Sequence, residues 1–223
     1  MYHSVLASAP DGRLGGDSSV WPLVTIGEIA TRIDYGTSAK TSTESTGSVG
    51  VLRMGNIQNG KIDLRDLKYL PENHADVMRL PLAEGDLLFN RTNSPELVGK
   101  SAVVGKGQQG MTFASYLIRV RFASRAEARF VAHVINSPVG RAYISTVRSQ
   151  QVGQANVNGS KLAAFPIALP PIERQREIVA EVDRQLSGIE ATIGVIETVQ
   201  QRANLLRQSV LDKAFSGRLV FDA

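Results

Sequence analysis

Six apolar residues, Val179, Val182, Leu186, Ile189, Ile193 and Ile196, follow one another at alternating intervals of three and four. On an α-helix this spacing gathers all six on one stripe, and the 3.5-residue mean repeat inclines such a helix to supercoil around another. Continued on the same count, the stripe meets Gln200, Ala203, Arg207 and Val210. It therefore either ends near Gln200 or shifts onto Val199 and Leu206, rejoining Val210. No proline follows Pro171, so one helix over 173–214 is predicted, about 60 Å long at 1.5 Å per residue. Gly188 and Gly194 each cost such a helix about 1 kcal/mol relative to alanine, which packing has to offset. A partner helix is the expected source of that packing; the alternative is a helix lying across its own domain.

The residues ahead of this helix read differently. Short β-like runs at 49–54, 86–90, 101–104, 116–122 and 165–169 are each bounded by Gly, Asn or Pro. Between the last two, Ser124 with Glu127 three residues on suggests a capping box, and Ser137-Pro138 a second helix start. Strands and helices without regular βαβ alternation predict a compact α+β domain over 21–170 with a small mixed or antiparallel sheet. A long coiled-coil-type helix over 171–216 and a short tail, 217–223, follow it. Residues 1–20, rich in Gly and Ser, read as a flexible segment.

The two ends of the chain resemble each other. Ser4-Val5-Leu6, Ala9 and Gly12-Arg13-Leu14 match Ser209-Val210-Leu211, Ala214 and Gly217-Arg218-Leu219, seven identities in eleven positions at an offset of 205. The pattern implies one full unit of a repeating arrangement, preceded by the tail of the previous unit's helix.

Composition narrows the chemistry. With no cysteine, disulfides and thiolate metal sites are excluded, and His3, His74 and His133 lack metal-ligand spacing. No signal peptide and no run of about 18 apolar residues is present, which predicts a cytoplasmic protein without membrane spans. The net charge of +4 mildly favours a polyanionic partner. Gly99-Lys100-Ser101 lacks the upstream glycine of a phosphate loop, since Ser94 stands there, and Asn93-Ser94-Pro95-Glu96 lacks the second proline and the aromatic of an adenine-methyltransferase motif.

Two stretches carry the residue types that read nucleic acid. Asn90-Arg91-Thr92-Asn93 leaves a predicted strand and opens a loop that ends at Lys100. The second runs from Ser149 to Lys161 and holds Gln150, Gln151, Gln154, Asn156 and Asn158, with Arg141 and Arg148 leading into it. Asn and Gln pair with adenine and Arg with guanine, while Lys and Ser anchor phosphates. Arg53, Asn56, Gln58 and Lys61 form a weaker third group. Ordinary solvated turns, or a structural Arg91 paired with Asp86, would account for the same residues.

Five blocks, in order along the chain, resemble the type I restriction-modification specificity subunits: Trp21 to Ile29; Gly85 to Ser94 with Leu97 to Lys100; Ser115 to Arg121; Ile167 to Arg176 around Leu169-Pro170-Pro171-Ile172-Glu173-Arg174-Gln175; and Leu211 to Leu219. The resemblance implies a target-recognition domain followed by a spacer helix, half of the usual two-domain subunit, and a non-catalytic role in binding double-stranded DNA. It also implies modification subunits that carry AdoMet and a restriction subunit that uses ATP, with no cofactor on this chain. Pairing of two copies through the long helix would put two such domains on a two-fold axis. A protein-binding scaffold that never touches DNA is the alternative.

Overall fold

The computed structural model describes residues 21–151 and 153–216, with only the main chain of Gln150 and Gln151. The segment 1–20, the tail 217–223 and both glycine-arginine-leucine ends of the internal repeat lie outside these residues. In chain order the elements are β1 (Leu23–Thr25), α1 (Ile26–Ile29), β2 (Ala30–Tyr35), β3 (Ser48–Leu52), β4 (Ile57–Gln58), β5 (Lys61–Ile62) and β6 (Lys68–Pro71). Then come α2 (Ala75–Arg79), β7 (Leu87–Asn90), β8 (Thr92–Asn93), β9 (Ser101–Val103), β10 (Thr112–Phe113) and β11 (Leu117–Phe122). The last are α3 (Ala128–Asn136), α4 (Pro138–Val147), β12 (Ser149–Gln151), β13 (Gln154–Asn156), α5 (Gly159–Ala163), β14 (Pro166–Ala168) and α6 (Ile172–Phe215). This is an α+β arrangement with several small sheets and one long terminal helix.

The central sheet has the order β2-β11-β7-β9, antiparallel throughout. Leu87, Leu88 and Phe89 of β7 are all buried, as expected of a strand covered on both faces. On one side Leu88 joins Leu52, Leu80, Leu82, Ala102, Phe113 and Leu117 in the largest described core cluster. The helix α3 contributes Phe130, Val131 and Ile135 to the buried set. A second sheet, β10-β3-β6, carries a smaller cluster of Val51, Leu70 and Val77.

In the middle of β11 stands a buried arginine. Arg119 is 1% exposed, and its guanidinium donates to Asp34 Oδ2 at 2.6 and 3.1 Å and to the Pro81 carbonyl at 2.8 Å. Asp86, equally buried, receives two bonds from Arg121 at 2.7 and 2.8 Å and lies 3.8 Å from Arg119. Strand-like alternation at 117–122 made the element legible, but not this network, whose members are 85 and 35 residues apart. Asp86 is thus committed to Arg119 and Arg121, not to Arg91.

The predicted capping box at Ser124 does not form. Glu127 is itself the N-cap of α3 and accepts from Arg129 N. Its own backbone N–H donates to Gln175 Oε1 at 2.8 Å, so it cannot sit one turn inside a helix begun at Ser124. Ser137 does cap α4, accepting from Gly140 N, with Pro138 in the first turn. A capping box that sequence reading passed over, Thr25 with Glu28, opens α1, and the Thr25 backbone and hydroxyl bonds hold the Glu28 carboxyl below its ordinary pKa.

The strand pair β1-β14 joins the two ends of the domain, with Leu23 opposite Ala168 and a further bond from Leu169 N to the Pro22 carbonyl. Immediately beyond, the wholly buried Gln175 ties the first turns of α6 down: Nε2 donates to the carbonyls of Arg125 and Pro170 at 2.9 and 2.7 Å. The chain falls into two compact units that meet between Val179 and Ala180, inside the helix. Val179 is accordingly buried with Ile178 in the first unit, which removes it from the stripe available to a partner. In the second unit Leu186, Ile189, Ile193, Ile196, Val199, Leu206 and Val210 are all exposed in the single chain. No helix among the described residues is long and apolar enough to cross a membrane.

The Asp34 carboxyl is held below its ordinary pKa: burial acts to raise it, but hydrogen bonds from Arg119 and Arg32, aided by their charges, outweigh that. A depressed carboxylate stabilises the fold above its unfolded pKa, about 3.9, and loses that contribution as pH falls through the lower folded value. The stability measured by urea unfolding is therefore expected to decline as pH drops below about 4, and Asp34→Asn should flatten that decline.

Candidate nucleic-acid interface

The two polar stretches singled out from the sequence meet in one sheet. β12 and β13 form a hairpin in which Gln151 stands opposite Gln154, with Gly153 at φ 77° in the connection. That angle is in the left-handed region, which glycine enters without steric cost. β13 in turn pairs with β8, placing Asn156 opposite Thr92 and Ala155 opposite Asn93. Sixty residues of intervening chain thus separate neighbours in a three-stranded β12-β13-β8 sheet.

Alternation along a strand assigns these residues to two faces. Ser149, Asn156 and Thr92 share a register row, and Asn156 Nδ2 donates to Thr92 Oγ1 at 2.7 Å. Gln154, two positions from Asn156 and on the same face, is exposed. Ala155 is buried on the opposite face, and Asn93 lies in its row with Oδ1 accepting from Ser94 N at 2.8 Å. Just past the sheet Asn158 caps α5 by accepting from Lys161 N, leaving the lysine half-buried on that helix.

Several candidates serve the scaffold instead. Asn90 is fully buried, with neither amide atom hydrogen-bonded to a described residue, so it does not reach a surface ligand. Sequence alone could not show this, because the strand β7 that it ends is covered on both faces. Arg141 and Arg148, expected to grip a DNA backbone, hold the protein's own: Arg141 donates to the carbonyls of Val98 and Glu96, and Arg148 to that of Pro95 at 2.7 Å. Burial and the neighbouring Arg148 charge lower the Arg141 pKa from its ordinary value. Gly99, at φ 87°, lies under this clamp, where a β-carbon would stand 2.5 Å from Ile144 Cδ1. Lys100 is half-buried at the end of the same loop.

The weaker third group is spent locally. Arg53 pairs with Asp66, the buried Asn56 bridges Arg53 N and the Asp63 carbonyl, and Gln58 donates to the Gly55 carbonyl. Conversely, sequence reading missed Tyr35 and Tyr116. Both are more than two-fifths exposed, and each is tied to Arg91: the guanidinium lies 4.8 Å from the Tyr35 ring centroid, and Arg91 N donates to the Tyr116 carbonyl at 3.0 Å. The only forewarning was two exposed-type aromatics beside glycine or serine in a chain of few aromatics.

A compact α+β module bearing a polar three-stranded sheet, with a long helix continuing from its end, defines the structural class. The chain belongs to the type I restriction modification DNA specificity domain family, whose sequence profile matches residues 19–201. It is 29% identical over 225 residues to the type I restriction enzyme EcoKI specificity subunit of Escherichia coli K12, covering 97% of this chain and 48% of that protein. A putative specificity subunit of Methanocaldococcus jannaschii, type I restriction enzyme MjaX, is 24% identical over 198 residues, covering 88% and 45%. Among solved structures, a chain from a type I restriction-modification system, solved to explain its complex assembly and conformational transition, superposes with a TM-score of 0.69. It is 20% identical and covers 96% of this chain and 48% of its own length. The HsdS subunit from Thermoanaerobacter tengcongensis gives 0.58 at 21% identity, covering 86% and 49%. These structural likenesses show the fold. The chain spans about half the length of the relatives it matches.

Replacing Arg141 by methionine keeps the apolar stem and removes the clamp on the 94–99 loop. With the carbonyl of the buried Val98 left unpaired, a loss of about 1–3 kcal/mol in urea unfolding is expected, together with faster proteolytic cleavage within that loop.

Proposed function

We propose that this chain is a sequence-specific DNA recognition subunit of a type I restriction-modification complex, reading one part of a split target. The observation that carries the reading is the β12-β13-β8 sheet, which assembles Thr92, Gln154 and Asn156 on one face from two distant stretches in a chain of the specificity-domain family. Amide and hydroxyl groups displayed together suit base-edge recognition, with Lys161 and Lys100 supplying phosphate contacts nearby in the sequence. Arg91 belongs to the set through its position between β7 and β8.

In this reading the chain performs no chemistry itself. Modification subunits carrying AdoMet and a restriction subunit using ATP supply it, and the assembly works in the cytoplasm. The exposed stripe from Leu186 to Val210 mates with another helix, which a second copy of the chain provides in antiparallel orientation. Two identical domains would then read an interrupted palindrome.

Selection of bound duplexes from a random pool tests the DNA reading. Gln154→Ala is expected to relax preference at one position by about 1–3 kcal/mol, whereas Lys161→Ala weakens cognate and random duplexes alike. Equal losses on all sequences for both variants would remove this sheet from base readout. For the helix, Ile189→Lys combined with Ile193→Lys is expected to convert a dimer to a folded monomer in sedimentation velocity. An unchanged oligomer would place the contact elsewhere.

A further inference from the structure

Arg91 differs from the other arginines around it. Arg119, Arg121, Arg125, Arg141 and Arg148 each donate to a carboxylate or carbonyl oxygen at 2.8 Å or closer. The Arg91 guanidinium makes a single hydrogen bond among the described residues, from Nη1 to the Ser115 carbonyl at 3.4 Å, and its buried Nε has none. The side chain is half-buried, so a partner from solvent can take its terminal nitrogens, which the protein itself leaves with a single weak bond.

Its position, by contrast, is strongly determined. The backbone of Arg91 is bonded on both sides, N to the Tyr116 carbonyl at 3.0 Å and the carbonyl to Val157 N at 2.9 Å, which links the starts of β8 and β11 to the end of β13. The guanidinium lies on the ring of Tyr35. That ring is fixed in turn, because its hydroxyl accepts from Gly159 N at 2.7 Å, at the first residue of α5, and any β-carbon on Gly159 would come within 2.9 Å of it. One residue before Tyr35, Asp34 is pinned by Arg119. A planar cation held by stacking keeps its nitrogen edge available, and the five-donor fork fits the O6 and N7 pair of guanine in bidentate fashion.

We infer that Arg91 is the guanine-reading side chain of this interface and that Tyr35 is the residue that positions it, by stacking beneath the guanidinium while anchored to the start of α5. The inference rests on the DNA-recognition reading above and deepens it. It distinguishes Arg91 from its sequence neighbours Asn90, which is buried, and Asn93, which bonds to its own loop. It also gives a role to an aromatic residue that the polar stretches do not include.

The test is selection from a random-sequence duplex pool by the full chain, alone and in whatever assembly co-purifies with it, comparing wild type, Arg91→Lys, Tyr35→Leu and Tyr35→Phe. Wild type is expected to enrich a motif with at least one invariant G·C pair. Arg91→Lys, which keeps the charge and loses the fork, should reduce preference at that one pair by roughly 5- to 150-fold, the range a bidentate contact provides, while other positions and random-duplex binding hold within about threefold. Tyr35→Leu should reproduce this single-position loss, and Tyr35→Phe, which keeps the ring but loses the hydroxyl anchor to Gly159 N, should give a smaller loss at the same pair. Enrichment by wild type with an unchanged motif in Arg91→Lys, or with a uniform loss across all sequences, overturns the guanine assignment alone. A Tyr35→Leu motif equal to wild type overturns the positioning role. No enrichment by wild type in either form overturns the DNA-recognition reading and this inference with it.

Discussion

A buried guanidinium in the middle of the central sheet sets the terms for the rest of this domain. Arg119 cannot remain uncompensated at 1% exposure, since desolvating an isolated charge costs several kcal/mol or more. Asp34 and the Pro81 carbonyl complete its hydrogen bonds from two directions, and Asp86 with Arg121 extends the network along the sheet. The result is a fixed register between β2, β11 and β7, whose ends carry Tyr35, Tyr116 and Arg91. The candidate interface is therefore aimed by electrostatics in the core.

Economy of side chains separates scaffold from surface at that interface. Arg141 and Arg148 use their forks on the carbonyls of Pro95, Glu96 and Val98. Once those carbonyls are satisfied from behind, the loop can hold β8 against β13, and the row Ser149, Asn156, Thr92 follows from the pairing. Residues that looked alike as polar or basic letters thus divide by whether the protein already consumes their hydrogen bonds.

The long helix obeys a different constraint. Its first two turns are secured by Gln175, whose amide bridges the Arg125 and Pro170 carbonyls and Glu127 N, and by the burial of Ile178 and Val179. From Leu186 onward its large apolar residues are uncovered in one copy, a surface that a solitary helix with two interior glycines gains nothing by exposing.

Much of this was determined by the sequence itself. The 3-4 spacing specified α6 to within a residue or two, the apolar run at 87–89 specified a strand, and Ser137-Pro138 specified the start of α4, because helix and strand periods and caps act over a few residues. The meeting of Thr92 with Asn156, the burial of Asn90, the diversion of Arg141 and Arg148 to loop carbonyls and the seat of Arg91 on Tyr35 were decided only by tertiary structure. Each depends on a partner between 43 and 64 residues away along the chain, or on both faces of a strand being covered. Local spacing contains no information on which distant group will satisfy a donor.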